Sequence, residues 1–375
     1  MLANEGIRVV LMRAETQNGR PGFIEPSAWL IGTFVLTLAA AEVSLRLKFD
    51  GIALLWPAAG VGAGLLMIAL GPKRYASLAG LGSAILTASL AEGRPLATAL
   101  IFVCGNVLQS LLIAQALSPS NTNRFSINTL GRFGKFVAAA IGVPALIGLF
   151  MAVGLKTAGH SSSSFSDIWW IWLCGQSVGI LTITPGILVL PRVLSGNLRL
   201  DAEHIAMASV IAVGAFVAVG LVVPESSPMM LVALVLMAPL AWWVLRSESA
   251  SRAPIAVLIV AAVTIWLTTG AIGMFADRPA LAQLFLAVIS LGLLSLGVVR
   301  NEAPTAQTGA RGVVRELTDA RALIILVPLM LFAAFGWWTW RTVEQDARAK
   351  AVRIADSVAL HAQRVLEVQE TLLQL

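Results

Sequence analysis

The residues that could do chemistry in this chain are a few polar side chains set inside long apolar runs. Glu42 and Arg46 stand one helical turn apart, so they share a face. Trp56 and Pro57 precede a run of small residues, Ala58-Ala59-Gly60-Val61-Gly62-Ala63-Gly64. Asn106 and Gln109 share another face, and Gln176 follows a tryptophan cluster that ends in Trp172. Indoles, amides and one ion pair suit the binding of a solute or the locking of helices together. They do not suit covalent catalysis. His160, His204 and His361 are scattered, with no carboxylate or thiol at ligand spacing. The chain has no Walker-type phosphate loop and no nucleophile elbow. No catalytic residue, metal site or cofactor is therefore expected.

The elements that must position these residues are set by composition. Of 375 residues, 58% are apolar and 12% carry charge, where a soluble domain carries about 25% charge. A bilayer core needs roughly 20 apolar residues per spanning helix, and barrel strands would alternate polar with apolar over about 10. The runs here are continuous, so the expected fold is all-α. It is a polytopic membrane helix bundle of about ten transmembrane helices, one further anchor helix and a C-terminal amphipathic helix. Eleven spans are predicted: 27–47, 51–70, 75–91, 96–117, 134–155, 168–190, 204–223, 228–245, 253–275, 280–299 and 321–340. Within span two, Pro57 reads as a kink and the small residues behind it as a surface for close helix approach. Thr184-Pro185-Gly186 reads as a break ending span six. Cys104 and Cys174 fall inside spans far apart in sequence and read as small packing residues.

Charge sets orientation. With the N-terminus inside, sixteen Lys and Arg fall on inner segments and five on the outer loops of the first ten spans, as the positive-inside rule requires. This also accounts for a net charge of +6 and a pI near 10 without nucleic acid. The chain is expected to be multi-pass, with residues 1–26 a cytoplasmic tail. Glu42, Trp56, Pro57 and Gln176 then share the outer half of the membrane, and Asn106 lies near its middle. Two readings stay open for these groups: a polar cavity facing outward, or interhelical hydrogen bonds that only fix packing.

Residues 27–300 form the multi-pass block, and the polar, Pro- and Gly-bearing stretch 301–320 reads as a cytoplasmic linker. The anchor 321–340 ends in Trp337, Trp338 and Trp340, an interfacial aromatic belt. Over 341–375, Ala347, Ala351, Ile354, Val358, His361, Val365, Val368 and Leu372 form a heptad stripe. Such a helix needs a partner, either a second protomer or a following domain, and a homodimer is expected. The stripe still runs at Leu375, so the polypeptide is expected to be part of a longer protein.

These pieces in order resemble a known family. Leu55-Trp56-Pro57-Ala58-Ala59-Gly60, Gly71 with Lys73-Arg74, Gly80-Leu81-Gly82 and Gly105-Asn106-Val107-Leu108-Gln109 come first. Phe133 to Phe136 and Trp169-Trp170-Ile171-Trp172 through Leu181, followed by Pro185, complete the set. Together they resemble the membrane-associated sensor domain of the first class, a MASE domain, over about residues 27–300. That family often carries a carboxylate where Gln109 and Gln176 stand. Amides keep the hydrogen bonding but cannot relay protons. Residues 321–375 are similar to the anchor and first helix of a Cache-type extracytoplasmic sensor, on the pattern Arg353 to His361.

The resemblance implies a sensory input module, without enzymatic activity of its own, that signals to a histidine kinase or diguanylate cyclase. It implies a small-molecule stimulus or a membrane protein partner beside the lipid bilayer. Eight residues would line the input cavity: Glu42, Arg46, Trp56, Pro57, Asn106, Gln109, Trp172 and Gln176. The rival reading is a small-solute transporter or permease subunit, which interrupted helices and intramembrane polar groups also fit.

Overall fold

A computed structural model describes residues 26–46, 48–49, 52–53, 55–118, 125–159, 162–194, 207, 209–216, 243–244, 252–270, 279–302, 352 and 354–360. They belong to two units. One comprises Met1–Ser126 with Lys135–Asn197, the other Ile127–Gly134 with Leu198–Leu375.

Among its described residues the first unit is helical apart from one two-residue ladder and the connecting turns. Its elements are α1 (Pro26–Leu45), β1 (Lys48–Phe49), β2 (Ile52–Ala53), α2 (Pro57–Ile68), α3 (Pro72–Ala91), α4 (Leu96–Leu117), α5 (Leu130–Thr157) and α6 (Phe165–Leu194). β1 and β2 pair antiparallel, with Lys48 opposite Ala53 and Phe49 opposite Ile52. α4 falls on the predicted span, and α1, α3, α5 and α6 lie within a few residues of theirs.

Span two differs from expectation. The helix starts at Pro57 instead of bending there, and Trp56 is its N-cap residue. The first N–H groups of a helix lack intrahelical acceptors, so proline loses nothing at this position. The resulting α2 has 12 residues, all buried. At 1.5 Å per residue it is about 18 Å long, too short to cross a hydrocarbon core of about 30 Å. Non-helical backbone just before it, at Leu55 and Trp56, is buried in protein, the condition under which such backbone is tolerated at membrane depth.

The predicted break at Pro185 is also corrected. α6 continues through Pro185 and Pro191 to Leu194. Neighbouring helices let a spanning helix absorb a proline, and α2 packs along this stretch: Thr184 Oγ1 donates to Gly60 O at 3.0 Å. Cys104 is exposed, contrary to its expected packing role, while Cys174 is half-buried. Cys104 lies about half a turn around α4 from Asn106 and Gln109, whose face turns inward.

In the second unit, α7 (Arg252–Thr269) and α8 (Pro279–Glu302) pack together. A Cβ on Gly297 would overlap that of Ala253, so the end of α8 meets the start of α7 and the pair is antiparallel. Asn301 Nδ2 donates to Asn128 O at 2.8 Å. Residues 209–216 are helical within predicted span seven, as are Trp243 and Val244 within span eight. Asn301 and Glu302 complete α8. The remaining linker, the anchor 321–340 and the tail 1–25 lie outside the described residues. Residues 354–360 are helical, with Ile354 and Val358 of the heptad stripe exposed.

Among the described residues, six helices are long and apolar enough to cross a membrane: α1, α4, α5, α6, α7 and α8. Their exposed side chains include Ile31, Val35 and Leu36 on α1 and Leu146, Phe150 and Val153 on α5. Apolar surface of this extent belongs against lipid. The chain is an all-α, multi-pass membrane protein.

Candidate functional site

Three helices of the first unit meet at the start of α2. α2 lies against α6 through glycine. A Cβ on Gly60 would overlap the Gly179 carbonyl oxygen, one on Gly179 would overlap the Trp56 carbonyl, and one on Gly64 would overlap Ile187. On its other side, Gly62 abuts Ser110 of α4 and Leu81 of α3. The backbone N–H of Trp56 donates to Gly175 O at 3.3 Å. Small residues thus bring the N-terminal end of α2 into the interior of the bundle, as the sequence predicts for this run.

The polar residues of α4 and α6 close around that end. Trp56 Nε1 donates to Asn106 Oδ1 at 2.7 Å, and Asn106 Nδ2 donates to Phe102 O at 2.9 Å. Trp172 Nε1 donates to Gln109 Oε1 at 3.2 Å, and Gln109 Nε2 donates to Gln176 Oε1 at 2.8 Å. Asn106, Gln109 and Gln176 are 2%, 0% and 3% exposed. In an apolar surround an amide without a partner is costly, and these bonds tie α2 to α4 and α4 to α6.

In front of the network is a small cleft lined by Ala53, Trp56, Arg94, Phe102, Trp172 and Gln176. Its free space is about 10 Å³, the threshold for one water. The Phe102 and Trp172 rings are 6.1 Å apart and tilted. The Arg94 guanidinium lies 4.3 Å from the Phe102 ring centroid, within cation–π range. Arg94 is half-buried in the α3–α4 turn. Burial lowers its pKa, and the nearby Glu92 charge opposes that shift. Gly93 supports the turn with φ +74°, a conformation open to glycine at little cost.

Of the eight residues singled out in the sequence, Trp56, Asn106, Gln109, Trp172 and Gln176 come together here, with Pro57 beside them as the first residue of α2. Glu42 and Arg46 do not. Both are exposed, outside the network and the cleft. Arg94 is the residue that sequence reasoning missed. Its signal was an arginine in a short turn, between Gly93 and Pro95, eight positions before Phe102.

A family model described as MASE1 matches residues 28–303. No curated protein and no solved structure matches the chain.

Proposed function

The chain belongs to the MASE1 family of membrane-associated sensor domains, and from that premise we propose that it receives a stimulus at the Trp56–Asn106–Gln109–Gln176 network and passes it on as a change in helix packing. The observation that carries this reading is the network itself, which joins α2, α4 and α6 at one end of the bundle. Interhelical hydrogen bonds in membranes average about 0.6 kcal/mol each. The three bonds that cross between elements therefore hold roughly 2 kcal/mol, a factor of about 30 in an equilibrium. That is enough to keep one packing dominant. It is small enough for a ligand or partner to reverse through its differential affinity for two states.

The resemblance to bacterial sensors supports an inner-membrane location, and the distribution of Lys and Arg supports a cytoplasmic N-terminus, with the cleft then at the extracytoplasmic end. The heptad stripe after residue 341 supports a homodimer and a Cache-like extracytoplasmic region. The effector is a histidine kinase or diguanylate cyclase outside residues 1–375, and the chain itself catalyses nothing. The detector proper is either the cleft or a membrane protein partner seated on the bundle.

The test is the signalling output of this chain joined to a diguanylate cyclase, with Trp56→Ala, Asn106→Ala and Gln176→Ala compared at equal membrane abundance. Each is expected to shift output. Normal output from all three would sink the reading, and solute flux through the chain in proteoliposomes would favour a transporter instead.

A further inference from the structure

The hydrogen-bonded chain behind the cleft has a fixed direction. An indole N–H can only donate, so Trp172 requires the oxygen of the Gln109 amide. The Gln109 amide nitrogen is then the group that faces Gln176, which must answer with its own oxygen. The amide orientations follow from a group that has no alternative. The nitrogen of Gln176 is turned away from Gln109, and Gln176 lines the cleft at 3% exposure with no other hydrogen bond among the described residues. The other indole, Trp56, is committed to Asn106.

Among the described residues, the polar side chains that line the cleft beside the committed indoles are thus Gln176, whose N–H₂ is turned from Gln109, and Arg94. The N–H₂ and the guanidinium only donate, and one is cationic. Ala53 and the faces of Trp56, Phe102 and Trp172 supply the remaining wall. Among the described residues no carboxylate lines it, and Glu92, whose charge acts on Arg94, is exposed. Donors and positive charge on apolar walls call for a ligand that brings acceptors and negative charge.

We propose that this cleft binds an oxyanion, the carboxylate or phosphate group of a small solute or of a lipid headgroup, between Arg94 and the Gln176 amide. The space of about 10 Å³ admits one oxygen of that group, and the body of the ligand stays outside. Arg94 keeps its place over Phe102 while it pairs with the anion, because stacking uses the guanidinium face and hydrogen bonding uses its edge. The role of the anion as a stimulus rests on the sensory reading above, whereas binding is measured separately from signalling.

The experiment is calorimetric titration of the full chain in phosphatidylcholine nanodiscs with sodium succinate and with inorganic phosphate, against sodium chloride at equal ionic strength. In parallel, melting temperature is compared between phosphatidylcholine nanodiscs and nanodiscs containing phosphatidylglycerol. Binding of succinate or phosphate identifies a solute; stabilisation by phosphatidylglycerol alone identifies a headgroup. In either case R94Q weakens the effect by about tenfold or more and R94K retains part of it. Q176E still accepts from Gln109 but replaces the donors with charge, so it also weakens binding by about tenfold, read beside its own melting temperature in phosphatidylcholine. Absence of both responses in the wild type, or equal responses in R94Q and Q176E, overturns the proposal.

Discussion

Gly60 of α2 and Gly179 of α6 meet backbone to backbone, so closely that a methyl group on either would overlap a carbonyl oxygen of the facing segment. Gly60→Ala or Gly179→Ala must separate the helices, at an expected cost of about 1–3 kcal/mol. Gly32 on α1 has nothing within 4 Å of a built Cβ, and Gly32→Ala is the matched control. Thermal unfolding in nanodiscs reads the difference. Equal midpoints for all three variants would mean that α2 is not seated on α6 through these glycines.

Gln109 and Gln176 share one hydrogen bond across α4 and α6, and both side chains are almost wholly enclosed. Replacing either with Leu strands the other amide. Replacing both removes both polar groups and refills the volume with apolar atoms. The double variant is therefore expected to be more stable than the sum of the single losses predicts. The coupling should be about 0.6 kcal/mol and should not exceed about 1.7. A double-mutant cycle on unfolding free energies checks it, and strictly additive losses would show that the bond does not form.

Cys104 is exposed on α4 and Cys174 is half-buried on α6. A spin label at Cys104, in a Cys174→Ala background, should report high accessibility to oxygen and low accessibility to a water-soluble nickel chelate. A label placed at Cys174 with Cys104→Ala should be shielded from both. The reverse pattern would rotate α4 relative to its neighbours.

The sequence makes some of this legible and hides the rest for identifiable reasons. The limits of α4 are readable because Pro95 and the polar run from Ser118 bracket an apolar stretch. The shared face of Asn106 and Gln109 follows from helical spacing alone. The start of α2 is hidden because residues 52–56 are as apolar as the helix they precede, so nothing marks Pro57 as first rather than central. Glu42 reads as a site residue because a charge in an apolar span suggests an inward face, yet it sits near the end of α1 on an exposed side. Arg94 escapes notice because a lone arginine in a turn looks like a solvated flank. Only the approach of Phe102 and Trp172 from two other helices makes it part of a wall.

The enclosure of α2 bears on how the protein is made. A helix about 18 Å long with no side turned to lipid gives the insertion machinery little to recognise, and Thr184, which bonds its Gly60 carbonyl, is 124 positions later in the chain. At roughly 5–20 residues per second of synthesis, on the order of 6–25 s pass before that partner leaves the ribosome. During this interval α2 has no final seat, and its glycine face is open to whatever lies nearby. Nascent chains arrested before α6 emerges should carry the 57–68 segment in a protease- or reagent-accessible position that is lost once α6 is out, so an early segment is captured retroactively by one made later.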